Sequence, residues 1–258
     1  MTNNLALDLY HSHRFREAIA AYRQQLRDGN PDKEWANLGG LAHALMAAGE
    51  FAEAIPLMEK VHQRDSNAHP GALGRQVQLS ICHWMIGERD QALKIIRGLV
   101  TDVRKRKVYY TDFAGGTSYG VILCYMAATL RVSADIDLAL KYLKWLSTRR
   151  YIRNWPGPAA LVLLGQMSFD EALKDGTGVA DLQQAKNITK QPSMERRHLV
   201  SLLFAAAVER RLAGDEPGCR AYMAECASLP NTLCEDEWYL ARGEVGLAIW
   251  TDLTNTPA

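Results

Sequence analysis

The residues best suited to chemistry fall in a few short stretches. Ala114–Gly115–Gly116–Thr117–Ser118–Tyr119–Gly120 is the glycine-rich segment and invites a phosphate-loop reading. No strand precedes it and no Lys-Ser/Thr ending follows, so both the backbone cradle and its lysine are missing. The competing reading is that Gly115 and Gly116 admit a neighbouring helix or loop at the start of a long helix. His11 and His13 stand two apart without enough further ligands for a metal. Glu235–Asp236–Glu237 opens a helix, where negative charge complements the helix dipole. No Ser-His-Asp or Cys-His grouping can be assembled locally. The expectation is therefore no catalytic residue, no metal and no cofactor.

The strongest charged feature is Arg104–Lys105–Arg106–Lys107, followed by Tyr109 and Tyr110. Arg149, Arg150, Tyr151 and Arg153 repeat the theme. Three readings apply: a solvated helix end favoured by the dipole, an acidic protein partner, or a nucleic-acid backbone with stacked bases. We take them in that order, because the formal net charge of the chain is only +1.

These residues must be positioned by helices, and one phrase recurs six times between helical patterns. It reads turn residue, apolar residue, polar residues, then a small residue and usually a hydrophobe. Gly49–Glu50–Phe51–Ala52–Glu53–Ala54–Ile55 is a clear copy, and Gly214–Asp215–Glu216–Pro217–Gly218–Cys219–Arg220 the most degenerate. The small residues Ala18, Ala54, Ala92, Ala139, Ala172 and Cys219 are 36, 38, 47, 33 and 47 residues apart. A second small residue precedes each by 12 positions: Ala6, Ala42, Ser80, Ala127, Ala160 and Ala207. Small residues paired in this way mark two helices that cross closely. A period in the thirties with helical pattern on both sides means stacked helix pairs, so function should reside in a binding surface.

In the second unit the spacing predicts helices over Trp35–Ala48 and Glu53–Gln63, with Gly49 as the stop between them. The two long spacings imply insertions at 105–120 and about 174–193, the second with a short helix over Val179–Ala185. Pro158 can open a helix over Ala159–Gly165. A last helix over Cys234–Thr251 would cover the end of the array.

This small–large–small pattern with a Gly–acidic–aromatic turn resembles the tetratricopeptide repeat (TPR) superfamily. The resemblance covers almost the whole chain and is best over residues 2–28 and 35–66. It departs from the family at Ser66, where a Pro usually ends the second helix, and at the insertions. It implies an all-α, TPR-like α-solenoid of about six helix pairs with a C-terminal capping helix. The expected organisation is a single domain over residues 1–253 with a disordered tail at 254–258.

In that family the first helices line the concave surface. Carried over, the partner-binding positions are Tyr10, His43, Trp84, Arg131 and Arg211, with Val77 beside them and Tyr125 near the face. Arg104, Arg106, Tyr109 and Tyr110 join them as the cationic, aromatic candidate outside the groove. For Trp84 and Tyr125, packing between adjacent units is an equal alternative. His43, as a lone histidine, also reads as a hydrogen-bonded interior residue. Gly39, Met46, Ala47 and Val77 stand where a peptide-carboxylate clamp would carry polar groups, so that clamp is not expected.

The stretch around Asp112–Ala114–Gly115–Gly116, with Asn154–Trp155–Pro156–Gly157–Pro158, is similar to uncharacterised bacterial TPR-like proteins. Some of these resemble immunity proteins of toxin systems. The resemblance implies one protein partner, a toxin domain, neutralised by the concave face or the insertion loops. The alternative is a chaperone or regulatory adaptor that holds an extended peptide in the groove. Five cysteines without a CxxC pair favour a reducing compartment. With no leader pattern and no apolar run of membrane length, cytoplasmic placement is the expectation.

Overall fold

The computed structural model describes residues 5–31, 33–68, 74–107, 114–188, 194–230 and 235–247. They form α-helices, one 3-10 turn and connecting turns, with no strand among the described residues. The all-α, TPR-like solenoid class is as expected. The chain divides into two compact units, one running to Ala92 and the other from Leu93 to Leu247.

The first unit holds α1 (Leu5–His11), α2 (Phe15–Arg27), α3 (Glu34–Ala48), α4 (Phe51–Ala68), α5 (Gly74–Met85) and the first turn of α6 (Arg89–Arg104). Each of the first four helices packs on the next. The second unit continues α6 and adds α7 (Thr117–Leu130), α8 (Ser133–Ser147), the 3-10 turn Arg150–Arg153 and α9 (Gly157–Leu163). It goes on through α10 (Phe169–Thr177), α11 (Leu182–Ile188), α12 (Met194–Leu212), α13 (Glu216–Ser228) and α14 (Asp236–Glu244). There α7 packs on α8 and α12, α9 lies against α7, α10 and α12, and α14 covers α12 and α13.

The 12-residue pairs explain this packing. All twelve small residues have no exposed surface. In five of the six copies the N–H of the second small residue closes the first helical turn on a carbonyl four residues back, at Arg14, Glu50, Glu88, Ser168 and Asp215. The backbone of the turn and the crossing point are thereby locked together. Ser80 occupies its crossing by donating its hydroxyl to the Ala92 carbonyl at 2.9 Å. Larger side chains on either side would separate the helices and open voids in a close-packed interior.

The turns share a second device. Six first helices end with paired hydrogen bonds closed around a left-handed residue. At Gly49, Gly87, Gly165 and Gly214 that residue is glycine, but His13 and Arg131 take it with φ of 61° and 58°. The end of α6 repeats the pattern with Arg106 at 57°.

Several boundaries differ from the sequence reading. α4 starts at Phe51, because the Glu50 carbonyl already accepts from Ala54, and it runs through Pro56 to Ala68. The short inserted helix lies at Leu182–Ile188, three residues later than its predicted span. α9 begins at Gly157 and stops at Leu163. The terminal helix ends at Glu244, where Val245 and Gly246 turn the chain with Gly246 at φ 71°.

Candidate protein-binding surface

The glycine-rich stretch is a packing joint. Gly115 and Gly116 have φ of 82° and 84°, and their carbonyls accept from the Tyr142 hydroxyl at 3.0 and 3.1 Å. A Cβ on Gly115 would lie 2.5 Å from the Tyr151 ring, and one on Gly116 would lie 2.7 Å from the Tyr142 oxygen. Thr117 is fully buried and donates to the Ala114 carbonyl at 2.8 Å. The segment brings α7 onto α8, with its carbonyls already occupied by tyrosine.

The first-helix positions in the first unit are largely enclosed. Trp84 is 3% exposed, with the Arg89 guanidinium 4.0 Å over its ring. Val77 is likewise buried. Tyr10 is half-buried beside the rings of His11 and Phe15. His43 is half-buried, and burial together with the Arg75 charge depresses its pKa from 6.5 to about 4, so its ring is neutral at pH 7. Arg75 reaches this face because Gly39 leaves room: a Cβ there would stand 2.7 Å from a guanidinium nitrogen. His83, one residue before Trp84, meets Glu88 at 2.6 Å.

In the second unit Tyr125 and Arg211 are brought together across α7 and α12, with the guanidinium 5.7 Å from the ring centroid. Tyr125 is 1% exposed and packs on Phe204 at 5.1 Å between ring centres. Its hydroxyl donates to Glu244 at 2.7 Å. Arg211 donates to Glu244 at 2.7 Å, to Thr129 at 2.8 Å and to Glu216 at 3.2 Å. Burial alone would lower the Arg211 pKa, but Glu244 and Glu216 more than offset it and raise the value. Burial would raise that of Glu244, and its bonds to Arg211 and Tyr125 bring it below the ordinary carboxylate range. The fork that could have met a partner's carboxylate is filled from within the chain.

Arg104 and Arg106 stand outside such networks. They and Lys105 and Lys107 are exposed at the end of α6, and among the described residues none of the four is in an ion pair. Arg131 is also exposed, at the turn between α7 and α8. Tyr109 and Tyr110 lie outside the described residues.

Sequence reasoning did not find the acidic partners of these cations. Glu244 lies 119 residues from Tyr125, and neither local spacing nor periodicity connects them. Glu235 does open α14 as an acid, but it is buried and paired with Arg197, and burial raises its pKa despite that partner. Arg97 and Asp135 join α6 to α8 through two bonds of 2.6 and 2.5 Å.

Among the described residues Cys82, Cys124, Cys219 and Cys226 are buried with no disulfide between them, and burial pushes Cys124 up to about 12 and Cys219 up to about 11. Among the described residues no cluster of three His, Cys, Asp or Glu could hold a metal. No helix of the described residues is long and apolar enough to cross a membrane.

Residues 45–111 match the tetratricopeptide repeat family, a span from the end of α3 past the end of α6. No curated protein and no solved structure matches the chain.

Proposed function

We propose that this chain is a non-catalytic protein-binding module that docks one folded, acidic protein through the cationic end of α6. TPR repeats generally mediate protein–protein contacts, and the matched span ends just past this cationic run. The observation that carries the reading is Arg106. Its left-handed backbone would cost least with glycine, whereas a non-glycine residue there costs about 1–2 kcal/mol. A cation near a helix C-terminus returns only about 0.3–1 kcal/mol, and Arg104 already supplies one in the last turn. Helix stability alone therefore does not account for Arg106, while a docking surface for an acidic partner does. The engagement of Trp84, Tyr125 and Arg211 in internal contacts favours this surface over an extended peptide held in the groove.

The finer reading is a bacterial immunity protein whose cationic loop enters the acidic catalytic cleft of a cognate toxin. Buried thiols with no disulfide among the described residues suit a reducing compartment, the cytoplasm. The test is purification of the tagged chain from its host, with Arg104→Glu/Arg106→Glu alongside the parent. One stoichiometric folded partner, lost with the variant and more weakly held at high salt, supports the reading. If that partner is a toxin, adding the chain must abolish its activity. Retention of the partner by the variant rejects this surface, and nucleic acid in the eluate rejects the protein partner.

A further inference from the structure

Among the described residues no helix covers the α8 face that carries Asp137, Lys141 and Lys144. The first helices on either side in sequence, α7 and α12, have 14 and 19 residues, but α9 has only 7. It stops because Gly165 turns left-handed at φ 65°, with Gly165 and Gln166 bonding back to Val162 and Leu161. Ser168 and Glu171 then cap the start of α10. Beside this truncated end lies an open cleft of about 380 Å³. That volume is at the low end of ligand-sized sites, which span roughly 300–1,000 Å³.

α8 contributes Asp137, Leu140, Lys141 and Lys144, an i, i+3, i+4, i+7 stripe along one helix face. Leu163 and Leu164 at the end of α9, with Leu212 at the end of α12, supply the apolar floor. Lys141 and Lys144 are exposed, and neither is in an ion pair among the described residues. The stripe spans about 10 Å, two turns of a docked helix.

We infer that this cleft takes a short acidic amphipathic helix of a protein partner, its leucine-type side chains on the floor and its carboxylates on Lys141 and Lys144. The occupant is a helix because α9, at 7 residues, is half the length of α7 and leaves about two turns of helix unfilled beside this stripe. It is acidic because two unpaired cations face one carboxylate, Asp137. α8 is the second helix of its pair, so the cleft's charged rim is not on the groove lined by first helices. The inference rests on the protein-binding reading but on different residues from the α6 surface.

The test uses a roughly 16-residue fluorescein-labelled helical peptide with leucines on one stripe and flanking glutamates, and its Glu→Lys counterpart. Anisotropy is read with the full chain, with Lys141→Glu/Lys144→Glu and with Arg104→Glu/Arg106→Glu. The acidic peptide should bind the parent and bind the α8 variant about tenfold more weakly, while the α8 variant gains the basic peptide. The α6 variant should bind the acidic peptide as the parent does. Equal binding to parent and α8 variant, or none up to about 1 mM peptide, overturns the inference. Self-association of the parent that is lost in the α8 variant overturns it in favour of a second copy. Loss of the cellular partner with the α6 variant stands whatever the peptide does, so the two readings fail separately.

Discussion

Tyr125 and Glu244 are joined by a 2.7 Å hydrogen bond that ties α7 to the last turn of the C-terminal helix. Arg211 completes the arrangement from α12, its side chain only 7% exposed. Removing one member of a buried pair leaves an uncompensated charge, at a cost of about 3–5 kcal/mol. Because Arg211 keeps the exposed Glu216, Glu244→Gln is expected to cost about 2–3 kcal/mol in urea unfolding. The double variant Arg211→Met/Glu244→Met should lose less than the sum of the singles. Strict additivity in that cycle would reject the coupling.

Arg131 and Arg106 make an opposite pair of expectations for stability and binding. Replacing either by glycine removes left-handed strain and should stabilise the chain by about 0.5–1 kcal/mol, net of the added chain entropy. Arg106→Gly should also weaken the partner. A thermal melt and a binding isotherm on the same samples would check both. A destabilised Arg106→Gly would mean the side chain is held by contacts within the chain.

At Gly115 the prediction is a loss. Alanine there takes an unfavourable backbone at about 1–2 kcal/mol and must displace the Tyr151 ring. The expected total for Gly115→Ala is roughly 2–4 kcal/mol. Gly115→Ala/Tyr151→Ala should not add the two separate losses, since the clash disappears with the ring. Denaturant midpoints of the three variants decide it.

His43 provides a pH dependence. Its folded pKa is depressed, so the folded state binds fewer protons than the unfolded one below pH 6.5. The stability it contributes is complete above 6.5 and is lost as pH falls from 6.5 toward about 4. Allowing for its partial exposure, the loss is about 2 kcal/mol. Glu244 has the same sign but acts lower, as pH drops through its depressed carboxylate value. His43→Gln should flatten the upper part of the profile alone. An unchanged slope between pH 6.5 and 5 would remove His43 from the account.

The helix pairs were legible because their crossings demand small residues at a fixed interval, and every one of those twelve side chains is buried. The turns were legible wherever glycine marks them, as at Gly49. They were less so at Arg131, where the same backbone is taken by a side chain that conceals it. Arg131 was expected in the groove; it is the residue that ends α7. Trp84 could not be placed from periodicity alone, because its cover, Arg89, comes from the following helix. Asn154–Trp155–Pro156–Gly157–Pro158 announced a turn, but nothing in it gave the early end of α9. The network around Glu244 joins residues more than a hundred positions apart, beyond any local pattern.

The 12-residue spacing inside each hairpin never varies, although the distance from one hairpin to the next ranges from 33 to 47 residues. All the extra length therefore enters where a second helix hands over to the next first helix. The hairpin behaves as an indivisible brick and the handover as mortar of adjustable thickness. The handovers can differ in length without changing the interval inside a hairpin, which leaves the links open to acquire new partners while the scaffold stays constant.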